Sequence, residues 1–111
     1  MKKKIAVTTG TRAEYGILRP VLKEIQNSKK LDLFLIVSGT HLSKKHGFSI
    51  NAIKNDGFTI GAKIPMMPKG NLNYHMSKIL GEGISSFSDI FKKNKPDINL
   101  ILGDRDEALA A

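Results

Sequence analysis

Short apolar runs alternate with helix-like apolar stripes along this 111-residue chain, and that alternation limits the folds it can adopt. The runs are IAV (5–7), LFLIVS (33–38), FTIGAKI (58–64) and INLIL (98–102). Strands separated by helical segments are typical of βαβ units, in which a helix returns the chain to start the next parallel strand. The alternation therefore predicts an α/β fold with a doubly wound, Rossmann-like parallel sheet.

The segments between the runs carry helical patterns. The first has apolar residues spaced by one, three, one and three positions, as expected for one helix face: Ile17, Leu18, Val21, Leu22 and Ile25. Because Pro20 lacks a backbone donor, we expect this helix to be kinked or irregular there, or to begin properly only near Ile17. A weaker helix is predicted over 48–54, stopped by Asp56-Gly57, and PMMPKGN (65–71) reads as an exposed loop.

The longest helix is predicted before the fourth run. Its apolar residues share one side until KNKPD ends it: Leu72, Met76, Ile79, Leu80, Gly83, Phe87, Ile90 and Phe91. Four parallel strands with right-handed crossovers give the order 3-2-1-4, in which the winding direction switches between strands one and four. Ligands bind such sheets beyond the carboxyl ends of the strands at that switch. The residues after IAV and INLIL are therefore the first candidates for a site.

The loops after strands one and four share a pattern, Gly-x-Arg-x-Glu. It is formed by Gly10, Arg12 and Glu14 in the first loop and by Gly103, Arg105 and Glu107 in the second. Thr11 with Glu14, and Asp104 with Glu107, have the spacing of a capping box, which satisfies orphan amides at a helix start. A capped helix start with remaining amides can also bind an anion. Each loop therefore has both a structural and a functional interpretation.

The functional interpretation joins the two loops into one cleft. Gly10 lets a ligand approach the backbone, Arg12 offers a fork for a diphosphate, and Asp104 adds a carboxylate that can move a proton. No GK[ST] follows, so this is not a Walker loop, and the glycine spacing is not that of a dinucleotide-binding fingerprint. His41, in SGTHL after the second run, is either a cleft contact or structural. The histidines share no metal-ligand spacing, so we expect no metal.

The net charge of +8 raises the question of a nucleic-acid partner. Fifteen of the eighteen cations are lysines, in runs at predicted element ends with few aromatic residues among them, which favours a solvated surface over a nucleic-acid patch. The chain has no cysteine, no signal-peptide pattern and no apolar run long enough to span a membrane. We expect a cytoplasmic protein with neither a nucleic-acid nor a membrane partner.

Four segments occur in a characteristic order: TTGTRAEYGILRPVLKEI, VSGTHL, DGFTI and LILGDRDEALAA. Together they resemble the amino-terminal part of hydrolysing UDP-N-acetylglucosamine 2-epimerases, most of all the branch that serves sialic and legionaminic acid synthesis. The resemblance implies a two-domain, glycosyltransferase-B-type protein much longer than this chain. Residues 1–111 would then be a partial N-terminal Rossmann-like domain that lacks the C-terminal UDP-binding domain.

The family's chemistry implies roles for individual residues. Its members eliminate UDP from UDP-GlcNAc or UDP-diacetylbacillosamine to give a glycal and then hydrate it, releasing the free 2-epimer without a cofactor. By resemblance, Asp104 is a catalytic carboxylate of unassigned acid or base role, and Arg12 contacts the phosphates of the nucleotide sugar. Gly10, His41 and Arg105 would complete the substrate site. We expect the isolated chain to be inactive and the parent to be a homo-oligomer.

Other functions stay open from the sequence. A nucleotide-sugar glycosyltransferase of the same architecture would bind its donor mainly in the second domain. A stand-alone, flavodoxin-like binding module is the non-enzymatic alternative, and the basic charge leaves nucleic-acid binding as a third.

Overall fold

The described residues, 2–38, 50–64 and 72–102 of a computed structural model, alternate between strands and helices. In chain order they form β1 (Lys3–Thr9), α1 (Arg12–Asn27), β2 (Leu31–Ser38), α2 (Ile50–Asn55), β3 (Ile60–Ile64), α3 (Leu72–Asn94) and β4 (Ile98–Leu100). The predicted strands and helices are thus confirmed. Strands β1 and β2 are longer than predicted, and β3 and β4 are shorter. The predicted loop PMMPKGN lies outside the described residues.

The four strands form one parallel sheet in the order β3-β2-β1-β4. This is the order that right-handed crossovers predict. Strand β1 is central: it pairs with β2 from Lys3↔Leu31 to Thr9↔Val37 and with β4 from Ile5↔Ile98 to Val7↔Leu100. The carboxyl end of β1 therefore lies between its two neighbours, at the predicted switch in winding.

Each face of the sheet carries its own core. On one face, α1 and α2 cover Ile5 and Val7 of β1 together with Leu35 and Val37 of β2. On the other face, Phe87 of α3 packs on strand residues that point away from the first core: Ala6, Ile36 and Ile64. Because successive strand residues point to opposite faces, apolar runs such as Leu35–Val37 are buried on both sides. The helices on the two faces confirm a doubly wound sheet.

Helix α1 differs from the prediction in its start and in its buried face. It begins at Arg12 rather than near Ile17, and it continues through Pro20 to Asn27. Ile17 is 67% exposed and Val21 is 41% exposed, so the predicted stripe is wrong at those two positions. The core instead takes a face formed by Tyr15, Leu18, Leu22 and Ile25. A starting residue at Arg12 brings Tyr15 into the helix, and its ring occupies the first buried position.

The predicted stop after α2 is confirmed. Helix α2 ends at Asn55, the amide of Asp56 donates to the carbonyl of Ala52 (3.1 Å), and the amide of Gly57 donates to the carbonyl of Lys54 (3.0 Å). Gly57 has φ of +92°, a left-handed conformation that glycine adopts without the steric cost of a side chain. This turn places Asp56 against α1.

The predicted end of α3 at KNKPD is also confirmed. Lys95 has φ of +48°, and its amide donates to the carbonyl of Phe91 (2.8 Å), closing the helix before Pro96. Within the described part of the chain, no helix combines the length and the apolar character that a membrane crossing needs. The turn after α3 leads directly into β4 beside β1.

Candidate functional site

The candidate site begins at the carboxyl end of β1, where the central strand passes into α1. Thr8, Thr9 and Gly10 are all buried there, and Thr11 starts the turn into the helix. Because β1 lies between β2 and β4, this turn occupies the point where ligands bind in doubly wound sheets. The fold thus brings the GTRAE segment to the position that the sequence predicts.

A capping box closes the amino end of α1, as predicted from Thr11 and Glu14. The amide of Glu14 donates to Thr11 Oγ1 (3.2 Å), and Thr11 is the N-cap with extended φ and ψ. In return, Glu14 Oε1 accepts from the Thr11 hydroxyl (3.3 Å) and from the Gly10 amide (3.2 Å). The carboxylate therefore reaches one residue further back than in the usual box, in which the N-cap amide is the donor. It fixes the Gly10 backbone as well as the helix start.

The capped turn keeps a positive electrostatic character. Aligned peptide dipoles place about half a positive charge at the start of a helix the length of α1. Among the described contacts, the cap uses the amides of Gly10 and Glu14, and the amides of Arg12 and Ala13 are the other donors of the first turn. Donors of this kind, beside an arginine at the first helical position, suit a phosphate group.

The structure locates part of the predicted site. Gly10 is buried beside the cap, and the backbone of Arg12 opens α1, while the Arg12 side chain lies outside the described atoms. His41, Asp104 and Arg105 also lie outside the described residues. The structure therefore brings Gly10 together with Thr11 and Glu14, and the roles given to the five predicted residues stay predictions. Glu14's contact with Gly10 was missed, because the sequence spacing predicts only the helix cap.

A polar cluster on the flank of α1 was also missed. The Tyr15 hydroxyl donates a hydrogen bond to Asp56 Oδ2, and Arg19 Nη2 lies 3.4 Å from Asp56 Oδ1. Lys23 Nζ donates to the carbonyl of Asp56 (2.7 Å) and lies 4.7 Å from the centre of the Phe58 ring. Three contacts from α1 therefore hold Asp56, and the first of them comes from Tyr15, one residue after the capping box. No short-range spacing predicts a pair 41 positions apart.

Burial raises the pKa of Tyr15 well above its ordinary value of 10.0, and the hydrogen bond to Asp56 raises it further. Above about pH 10, the unfolded chain loses the Tyr15 proton while the folded protein keeps it. We therefore expect Tyr15 to lower the free energy of unfolding by up to about 1.4 kcal/mol for each pH unit above 10. Below pH 10, its contribution to stability is present in full. Urea denaturation of the protein and of Tyr15→Phe on both sides of pH 10 measures it. Equal alkaline slopes for the two proteins would contradict it.

Two further polar side chains are buried at the strand ends. The hydroxyl oxygens of Thr8 and Ser38 have no hydrogen-bond partner among the described residues. The alternation along β1 and β2 places both on the face that α3 covers, opposite the capping box.

Comparisons with known proteins identify the family of this chain. The family model for UDP-N-acetylglucosamine 2-epimerase matches residues 23–111. The chain is 41% identical over its full length to "UDP-N,N'-diacetylbacillosamine 2-epimerase (hydrolyzing)" of Legionella pneumophila. It is 40% identical over 109 residues, 98% of its length, to "GDP/UDP-N,N'-diacetylbacillosamine 2-epimerase (hydrolyzing)" of Campylobacter jejuni. The chain spans 29% and 28% of the lengths of these two relatives.

A solved structure shows the same fold. It is the UDP-GlcNAc 2-epimerase of Neisseria meningitidis bound to UDP-GlcNAc, which superposes with a TM-score of 0.76 at 21% identity. The superposition covers 96% of this chain and 27% of that one. The family predicted from the sequence segments is confirmed by the family model and the two relatives. On the match over residues 23–111 and the 41% identity along its whole length, this chain belongs to the UDP-N-acetylglucosamine 2-epimerase family.

Proposed function

We propose that the natural protein containing this chain is a hydrolysing 2-epimerase of a UDP-N-acetylhexosamine. Its substrate is UDP-GlcNAc or UDP-diacetylbacillosamine, and its products are UDP and the free 2-epimer of the sugar. The observation that carries the proposal is the capped start of α1 at the switch of the sheet, with Arg12 as its first helical residue. The names of the two relatives at 40% and 41% identity support the substrate class.

The reaction proceeds by elimination followed by hydration. In the first step a base removes the proton from C2 of the sugar, the C1–O bond to UDP breaks, and UDP leaves with that electron pair. The product is a glycal with a double bond between C1 and C2. In the second step the oxygen of water bonds to C1, and a proton is delivered to the opposite face of C2. Oxidation and reduction balance within the sugar, so the two steps need only proton transfer and stabilisation of the leaving phosphate.

The residues of this chain take distinct roles in that sequence. The amino end of α1 and Arg12 bind the diphosphate and stabilise its negative charge as the C1–O bond breaks. Glu14 holds Gly10 and Thr11 in place through its hydrogen bonds, so that the turn is preorganised before the substrate arrives. Asp104, which follows β4, moves a proton at the sugar, while His41 and Arg105 contact the substrate.

We place this chain in the first part of a two-domain, glycosyltransferase-B-type protein. Residues 1–111 form a partial N-terminal domain, and a C-terminal domain binds the uridine. This arrangement agrees with relatives of which the chain spans less than a third. The natural protein is a cytoplasmic homo-oligomer, and the 111-residue chain by itself releases no UDP above blank.

Turnover in deuterated water tests the proposal. The natural protein is incubated with UDP-GlcNAc and, separately, with UDP-diacetylbacillosamine, and both UDP and the free sugar are measured. We expect UDP release without any acceptor and one deuterium at C2 of the inverted free sugar. A glycosyltransferase would instead need an acceptor and leave the hydrogen at C2 unexchanged, and a binding module would release no UDP. Either result would overturn the proposal.

A further inference from the structure

Three lysine runs in the described part of the chain lie at one edge of the fold. In a parallel sheet, every segment that enters a strand lies at the amino ends of the strands. Seven exposed lysines lie in the segments entering β1, β2 and β4, and we call them the basic edge: Lys2, Lys3, Lys29, Lys30, Lys92, Lys93 and Lys95. This edge is opposite the candidate site, which lies at the carboxyl ends of the strands.

Backbone contacts join the three lysine segments into one surface. The Lys3 amide donates to the carbonyl of Lys30 (3.0 Å), which connects the entries to β1 and β2. The Asp97 amide donates to the carbonyl of Lys4 (2.8 Å), and Lys4 Nζ donates to the carbonyl of Asn94 (2.9 Å). These bonds connect β1 to the end of α3. Since neighbouring strands are about 4.8 Å apart, these bonds bring the three lysine segments to adjacent positions at the sheet edge.

Local structural roles account for only part of this charge. Lys92 and Lys93, in the last turn of α3, offset the negative end of the helix dipole. Three exposed carboxylates lie on the same edge, Glu24, Asp32 and Asp97, and Asp97 already accepts the Lys4 amide (2.8 Å). Among the described residues, the ion pair shorter than 4 Å joins Arg19 and Asp56, and it includes none of the seven lysines. Seven lysines against three carboxylates leave the basic edge with an excess of positive charge that faces solvent.

We propose that the basic edge docks the protein on an anionic lipid surface. Lysine ammonium groups on flexible stems match mobile, negatively charged headgroups, and clusters of four to eight lysines bind such surfaces. Nucleic-acid binding fits less well, because the edge has no arginine fork and every described aromatic ring is buried or half-buried. The sequence predicted no membrane partner because it has no apolar run long enough to span a membrane. Peripheral docking needs no such span. A protein docked this way presents the carboxyl ends of its strands to solvent.

Flotation with lipid vesicles tests the proposal. The purified protein is mixed with vesicles of phosphatidylcholine alone or with added phosphatidylglycerol, over a range of salt concentrations. We expect binding only to the anionic vesicles, with affinity that falls as salt rises. The double variant Lys3→Gln, Lys30→Gln should bind about 30-fold more weakly, since each lysine near an anionic surface contributes about fivefold.

A matched variant separates the basic edge from net charge. Lys63 and Lys78 are also exposed, and Lys63→Gln with Lys78→Gln removes the same charge away from the edge. We expect this pair to weaken vesicle binding less than about threefold. Equal losses for the two pairs, or no binding to anionic vesicles, would overturn the proposal. So would tighter binding to duplex DNA or RNA than to vesicles at the same salt. Unchanged thermal unfolding of both variants verifies that folding is not the cause.

Discussion

Replacing Asp104 with asparagine in the natural protein should lower kcat for UDP release by about 100- to 10,000-fold, the usual contribution of a side chain that transfers a proton. Asparagine keeps the size of the side chain but can neither take nor supply that proton. The position of Asp104 after β4 supports the expectation, because β4 pairs with β1 and thus ends beside the capped start of α1. KM should change little if the carboxylate acts mainly in the transition state.

Asp106→Asn is the matched control for this prediction. It makes the same chemical change two residues along the chain, and we expect it to keep kcat within about threefold, since Asp106 has no role in the proposed proton transfer. Equal losses in the two variants would indicate a general effect of charge or folding. An Asp104→Asn variant with normal UDP release and normal deuterium incorporation at C2 would remove Asp104 from the mechanism without affecting the family assignment.

The order of the strands was predictable because it depends on patterns that are local in sequence. Runs such as LFLIVS are too short for a helix and too apolar for a surface strand, which identifies strands buried on both faces. Right-handed crossovers then leave one simple order, and it is the one observed. The capping box was predictable for the same reason, since Thr11 and Glu14 are only three residues apart.

The buried face of α1 was harder to predict, because it depends on partners far away in sequence. Apolar spacing alone placed Ile17 and Val21 with Leu18 on one face, and that assignment ignores Tyr15. Tyr15 reaches the core because its ring packs edge-on against Phe58, 6.2 Å between centres, while its hydroxyl contacts Asp56. An aromatic side chain with a polar tip is favoured where an apolar core meets polar groups. Only the folded arrangement of α1 and the Asp56-Gly57 turn reveals it.

The candidate site likewise has one part that the sequence predicts and another that it does not. Its α1 half follows from a five-residue segment at the end of a strand, so the sequence could place Gly10 and Arg12 at the switch. The extra reach of Glu14 to the Gly10 amide depends on how the chain turns after Thr9, which residue spacing does not encode. The contributions of His41, Asp104 and Arg105 depend on the approach of separate loops, so they rest on the family resemblance.

The core beneath α3 should be the most sensitive to truncation. Phe87 is 1% exposed and is the largest fully buried side chain described, and it packs on Ala6, Ile36 and Ile64 from three strands. Its ring also lies 5.8 Å from that of Phe91, centre to centre. We expect Phe87→Ala to lower the free energy of unfolding by about 3–5 kcal/mol, through lost burial and the cavity left behind. Urea denaturation, with the m-value checked for change, measures the loss.

Ile84→Ala supplies the comparison on the same helix. Ile84 lies three residues before Phe87 and is 46% exposed, so its truncation leaves no cavity and should cost about 0.5 kcal/mol or less. Both variants replace an apolar side chain by alanine in an identical backbone, so their difference isolates packing against the sheet from helix propensity. A domain of this size is stable by only about 5–15 kcal/mol, so the Phe87 loss would remove a large share. Similar losses in the two variants would show that α3 does not hold the sheet through Phe87, contrary to the packing.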